Sequence, residues 1–400
     1  MQEISNITIV NVKDGLVSHQ QTIQIDGQSI SAIGPAASDQ ILKSDIEELW
    51  AIPGLIDCHV HLFERHDDND PDGIYRYDDG YEADKYRALK NLRNALDAGI
   101  TCVRDVGAYE GYNNKLRDFI EANQTDRPYR VVSCGRHITR TDKDEDPHFW
   151  DRGVAWNPKK ESLKEVIYRE AELGADFIKI MNDNRIFDFE ELKQIVGICR
   201  ELGKKLACHA FKSDTVEDAI RAGINSVEHA VCFTNELIEI ALEQGTVFCP
   251  TLIAAQDSVD CQKDSKMANT LEKAITDCEK HEYIEWLDLL YAHLPTTFKS
   301  GVKVIAGTDA GIFPTNFQSL HREITSYIDH GATELQALQT ATINAAEALD
   351  IDDKVGTIEV GKSADIVLLK KNPLKDLRGS LADIALVMSR GKIVLENRGI

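Results

Sequence analysis

Between Leu55 and Ala306 the sequence switches back and forth between two kinds of segment. Short runs rich in β-branched and apolar residues (Leu55–Val60, Thr101–Val106, Tyr129–Cys134, Phe177–Met181, Lys205–His209, Ser226–Val231, Thr246–Cys249 and Lys303–Ala306) are separated by stretches with helical periodicity. Many of those stretches end in glycine: Gly99, Gly174, Gly203, Gly223, Gly245 and Gly301. A glycine just past a helix accepts the left-handed conformation that stops it. Eight strands joined through helices predict a parallel (β/α)8 TIM barrel of the α/β class. An open doubly wound sheet is the alternative, but no Gly-x-Gly-x-x-Gly opens a helix after the first strand. The two ends of the chain differ from this middle. Ile7–Val10 and Thr22–Ile25 at one end, and Asp365–Leu369 and Ile384–Met388 at the other, read as strands set off by turns such as Asp26-Gly27 and Arg390-Gly391.

Bulk properties narrow the partners. The 400 residues carry a formal charge of −22 with 42% hydrophobic content. Such an excess of negative charge opposes binding to nucleic acid or to an anionic membrane, which leaves a small molecule as the expected substrate. No run reaches the roughly 18–20 apolar residues of a membrane span. Met1–Val12 contains Glu3 and Asn6 in place of a leader's apolar segment, so a cytoplasmic enzyme is expected; a homo-oligomer is expected as well. The nine cysteines are odd in number and none forms Cys-x-x-Cys, which argues for reduced, buried thiols.

Several polar side chains interrupt the apolar runs near their C-terminal ends. His59 and His61 stand two residues apart in Asp57-Cys58-His59-Val60-His61, so both can point to one side of a strand. His209 closes the fifth run, His229 lies in the sixth, Asp309 follows the eighth, and Lys179 lies within the fourth. Buried alone, each would be costly. A shared metal centre at the C-terminal mouth of the barrel resolves all of them together.

With these residues in place the chain resembles the amidohydrolase superfamily, in its binuclear subtype with a carboxylated lysine. The resemblance rests on Ala51-Ile52-Pro53-Gly54-Leu55-Ile56-Asp57-Cys58-His59-Val60-His61 and, near the other end, on Ala341–Ala346, Gly356-Thr357-Ile358 and Gly361–Val367. It implies a small β-sandwich built from both termini (1–51 and 351–400) around a barrel spanning 52–350. It also implies that His59, His61 and Asp309 hold one divalent ion and that His209 and His229 hold a second. Lys179 would bridge the two as an N6-carboxylysine, a carbamate made with CO2. Zinc is the expected metal, since imidazole and carboxylate suit it. The pair would activate a water to attack an amide such as that of a dipeptide or N-acyl amino acid, with Asp309 moving the proton to the leaving amine.

The imidazolonepropionase-like and prolidase-like branch is the nearest in pattern. That branch has a histidine in the region of His137, which makes His137 a candidate to polarise the scissile carbonyl. Arg136, Arg140 and Arg185 are candidates to pair with a substrate carboxylate. The same ligand set also suits a carbamate or aryl-urea hydrolase, an ester or lactone hydrolase, or a non-catalytic scaffold. Where the branch often has a small Ser-Gly-Gly turn after the lysine, this chain reads Met181-Asn182-Asp183-Asn184-Arg185. Two long connections, 63–82 and 252–281, are expected to be lids or binding loops.

Overall fold

The computed structural model describes residues 2–36, 49–64, 80–123, 128–140, 153–261, 277–312 and 314–397. The central parts of both long connections, 65–79 and 262–276, lie outside these residues. At the N-terminus come β1 (Gln2–Val10), β2 (Val17–Asp26), β3 (Ser29–Pro35) and β4 (Leu49–Pro53). The barrel contributes β5 (Leu55–Val60), β6 (Ile100–Asp105), β7 (Arg130–Ser133), β8 (His137–Arg140), β9 (Gly153–Trp156), β10 (Ile178–Met181), β11 (Leu206–His209), β12 (Ser226–Glu228) and β13 (Val247–Cys249). The chain finishes with β14 (Ile366–Leu369), β15 (Ile384–Ser389) and β16 (Lys392–Glu396).

The terminal strands from both ends join in one seven-stranded mixed sheet, ordered β16-β15-β14-β4-β1-β2-β3. Residues of alternate parity explain its two faces. Ile366, Leu368 and Ala51 belong to the apolar cluster of the terminal unit, while Val367, Leu369 and Ile52 pack into the barrel's core. The terminal unit is thereby fastened to the barrel by an apolar face.

Parallel pairing runs β5-β6-β7 and again β8-β10-β11-β12-β13. The amide of Asp176 donates to Ser133 O at 2.8 Å and bridges these two groups. The eighth segment closes the ring through scattered bonds in place of a regular ladder. Phe248 N donates to Lys303 O at 3.1 Å, and on the other side Cys58 N donates to Ala306 O at 2.8 Å. The sequence anticipates one strand in the third position, but the structure divides it. Cys134-Gly135-Arg136 interrupts it, Gly135 has a φ of +70°, and β8 then pairs with both β10 and β9.

Capping side chains start several of the helices and glycines stop several of them. Ser162 and Asp188 form capping boxes with Glu165 and Glu191 at the starts of α-helices Leu163–Glu172 and Phe189–Glu201. Gly223 and Gly245, at φ +86° and +70°, cap the helices Ser213–Ala222 and Asn235–Gln244. Ile138, Ile180, Cys208, Val227 and Phe248 face outward into the cluster these helices cover. By alternation, His137, Lys179, His209, Glu228 and Cys249 turn into the barrel. The eight described cysteines are all buried and free. Among the described residues no helix is long and apolar enough to cross a membrane.

Candidate active site

Four histidines, Asp309 and Lys179 meet at the C-terminal mouth. Nε2 of His59 and of His61 lie 3.4 and 3.3 Å from the same oxygen, Oδ1 of Asp309. These three residues are close enough to share one ion. The rings of His209 and His229 lie 4.4 Å apart between centroids, and His229 lies 4.7 Å from His59. The two histidine pairs therefore adjoin.

Each ring has one nitrogen already taken by the protein. His59 Nδ1 donates to Glu228 Oε2 at 2.7 Å, and His61 Nδ1 donates to Gly107 O at 3.2 Å. His229 Nδ1 shares a hydrogen bond with Thr251 Oγ1 at 2.8 Å. His209 is the reverse, because its Nε2 donates to Asp183. A neutral imidazole with one N–H so engaged keeps a single lone pair on the other nitrogen. His59 and His229 stay neutral. Burial brings His59 down to about 4, and burial with the neighbouring His209 takes His229 well below the usual range. Burial opposes ionisation of Asp309, but the imidazoles of His59, His61 and His229 outweigh it and hold the carboxyl well below its ordinary value.

Lys179 is the residue that most needs explaining. It is 2% exposed, and its Nζ makes no hydrogen bond. Burial drives its pKa down, with Arg104 adding to that effect, while Glu228 and Asp309 pull the other way. An amine held towards neutrality beside a cluster of bare imidazole lone pairs fits a donor set built for divalent ions. The backbone is unusual at the same place. His229, Thr251 and Asp309 all have positive φ, at +66°, +48° and +57°. Such conformations cost on the order of 1–3 kcal/mol each and gather where function demands a particular direction.

Several supporting residues escaped the sequence analysis. Glu228 and Arg104 form a buried pair beneath His59. Asp57 accepts from Thr308 Oγ1 at 2.7 Å and Thr308 N at 3.0 Å, stapling the first strand to the eighth; burial pushes its carboxyl up to about 7. The only signal for Arg104, Glu228 and Asp57 was a charge inside an apolar strand. Glu228 also lies with His59 and Cys249 in a tight group, but Arg104 and His59 already occupy the carboxylate and burial keeps the thiol protonated.

His137 begins β8. It is 4% exposed and packs against Gly107, where an added Cβ would fall 2.7 Å from its Nδ1. The three arginines are otherwise engaged. Arg136 pairs with Glu170, Arg140 donates to both oxygens of Glu191 at 2.9 and 2.8 Å, and Arg185 pairs with Asp218 at 2.7 Å. Bidentate capture of a substrate carboxylate by Arg140 would require giving up that bond. We assign none of the three to substrate.

Gly307 lets the eighth segment approach the first strand. An added Cβ would fall 2.5 Å from Cys249 Sγ and 2.9 Å from His59 N. Gly307→Ala is expected to destabilise the protein by about 1–3 kcal/mol through overpacking. Urea melting checks it, and an unchanged midpoint would show that this contact yields freely.

The amidohydrolase family model matches residues 50–394. An uncharacterized protein of Mycobacterium tuberculosis is 27% identical over 337 residues, covering 81% of this chain and 77% of that protein. An imidazolonepropionase of Fusobacterium nucleatum is 27% identical over 297 residues, covering 70% of this chain and 62% of the relative. Among solved structures, a Xaa-Pro dipeptidase with bound methionine in the active site aligns at a TM-score of 0.81 and 24% identity over 99% of each chain.

Proposed function

We propose that this chain, which belongs to the amidohydrolase family, hydrolyses a peptide-like amide such as a dipeptide or N-acyl amino acid at a binuclear metal centre. Its family makes it a hydrolase of carbon–nitrogen bonds acting on small molecules, and divalent ions are typical of that family. The finer reading is carried by one observation: Lys179 Nζ, buried and without a hydrogen bond, beside four histidines and Asp309. In this reading His59, His61 and Asp309 hold one ion, His209 and His229 hold the other, and carboxylated Lys179 joins them. When bound, the two ions, with zinc as the expected species, supply an acidified water and an electrophile for the carbonyl. Asp309 takes the proton of the attacking water and delivers it to the departing nitrogen. In the same reading His137, buried beside Gly107, would donate towards the carbonyl oxygen. The dipeptidase with its bound methionine, and the imidazolonepropionase, favour an amide over an ester.

The test is a panel of dipeptides, N-acyl amino acids, carbamates, aryl ureas and esters, assayed with zinc and bicarbonate. Amide hydrolysis by protein carrying two ions is expected; turnover of esters alone would sink the proposal. Within that assay, Asp309→Asn should lower kcat by roughly 10²–10⁴-fold, the usual contribution of a positioned acid–base group, while keeping much of its metal. A variant with normal kcat would remove Asp309 from proton transfer.

A further inference from the structure

The connection after β10 puts a carboxylate against His209. Asn182–Arg185 contains a 3-10 turn with two residues in the left-handed region, Asn184 and Arg185, each at φ +53°. Its neighbours hold it in place. Asn182 Oδ1 accepts from Phe187 N at 2.9 Å, and Asn184 Oδ1 accepts from Lys212 Nζ at 2.8 Å. Arg185 reaches Asp218 at 2.7 Å and Asp214 at 3.5 Å on the helix Ser213–Ala222. Arg185, a substrate candidate by sequence, thus pins the turn to that helix. The outcome is that Asp183 Oδ2 receives the Nε2–H of His209, while Asp183 Oδ1 is buried with no hydrogen-bond partner. No other protein donor competes for this carboxylate among the described residues.

We infer that Asp183 is a positioning residue for the second metal site: it fixes His209 as the tautomer with a bare Nδ1 and makes that nitrogen the ligand. The inference rests on the binuclear reading above. A carboxylate behind an imidazole orients the ring and raises the basicity of the nitrogen that faces the ion. The comparison inside this molecule supports it. His59 is backed by Glu228 at Nδ1 and is left with Nε2. His209 is backed by Asp183 at Nε2 and is left with Nδ1. His61 Nδ1 meets a carbonyl and His229 Nδ1 a hydroxyl, with Asp309 Oδ2 farther off at 4.0 Å. Each proposed ion would then have one histidine with a carboxylate behind it. Asp183 and Glu228 would be matched supports, one for each half of the centre.

Stepwise zinc titration against a competing chelator, on the full chain with bicarbonate present, tests this. Wild type should take two ions. Asp183→Ala should hold the first as wild type does and bind the second roughly 10–100-fold more weakly, with Asp183→Asn in between. In cobalt-loaded protein the visible absorption of the second ion alone should change, which a general loss of packing would not produce. If Asp183→Ala does not fold, Asp183→Asn carries the test. Second-ion affinity within twofold of wild type in the folded variants would overturn the inference. So would intact binding of both ions with only KM raised, because Asp183 would then serve the substrate. A wild-type protein that never takes more than one ion would bring down the binuclear reading as well, and that result needs no variant.

Discussion

Lys179→Ala is expected to lose the second metal ion and to lower turnover by roughly 10³-fold or more, since two-metal activation supplies several kcal/mol of transition-state stabilisation. The reasoning begins with solvation. A lysine ammonium wants three acceptors, yet Nζ of Lys179 is buried and has none. Burial pushes the equilibrium towards the neutral amine. Only that form can attack CO2: a nitrogen–carbon bond forms, a proton leaves the nitrogen, and an anionic oxygen ligand results. The competing account is an ordinary ammonium held by the charges of Glu228 and Asp309. The two accounts differ in what the variant does to metal content. Elemental analysis of Lys179→Ala should find the second site depleted. Millimolar acetate should restore part of the activity by standing in for the missing carboxylate. Lys179→Met controls for the cavity left by alanine. Wild-type metal content in both variants would end the bridging role.

Much of this site could be read from sequence for a simple physical reason. A titratable side chain in an apolar strand near its C-terminal end stands out against its neighbours, and His59, His61, Lys179, His209, His229 and Asp309 all do so. The barrel was legible because its helices carry their own stops, as at Gly223 and Gly245. What stayed hidden depends on distance along the chain. Arg104 meets Glu228 across 124 positions, and local pattern says nothing about such a partner. Local pattern is equally silent on the partners of Arg136, Arg140 and Arg185. An arginine in a loop near the mouth looks free for substrate until the structure supplies Glu170, Glu191 and Asp218. The division of the third strand went unseen because Cys134-Gly135-Arg136 resembles a strand's end, whereas the chain resumes pairing at His137.

The buried pair behind His59 carries the other large effect. Arg104→Met is expected to destabilise the protein by about 3–5 kcal/mol, the usual consequence of stranding one partner of a buried ion pair. Glu228 is fully buried, and burial by itself would raise its carboxyl. Arg104, with the hydrogen bond from His59, holds it well below the ordinary range instead. Arg104 Nη2 donates to its two oxygens at 2.8 and 2.7 Å, and Arg104 Nη1 donates to Ser226 Oγ at 3.3 Å. With methionine in place of arginine, the carboxylate must either stay charged without a partner or take up a proton. The protonated form accepts the His59 N–H more weakly. Arg104→Met/Glu228→Leu separates stability from function. It removes both charges, so most of the lost stability should return, as it does when buried pairs are replaced by apolar residues. Metal binding should not return with it. His59 Nδ1 would lack its carboxylate, and first-ion affinity should stay roughly 10–100-fold below wild type. Urea melting of metal-free protein gives the first quantity and chelator competition the second. If the double variant melts as early as Arg104→Met, the lost stability comes from arginine's packing over Phe177, 5.4 Å from its guanidinium, and the stranded-charge account is wrong. If it binds metal as wild type does, Glu228 balances Arg104 and does nothing for His59.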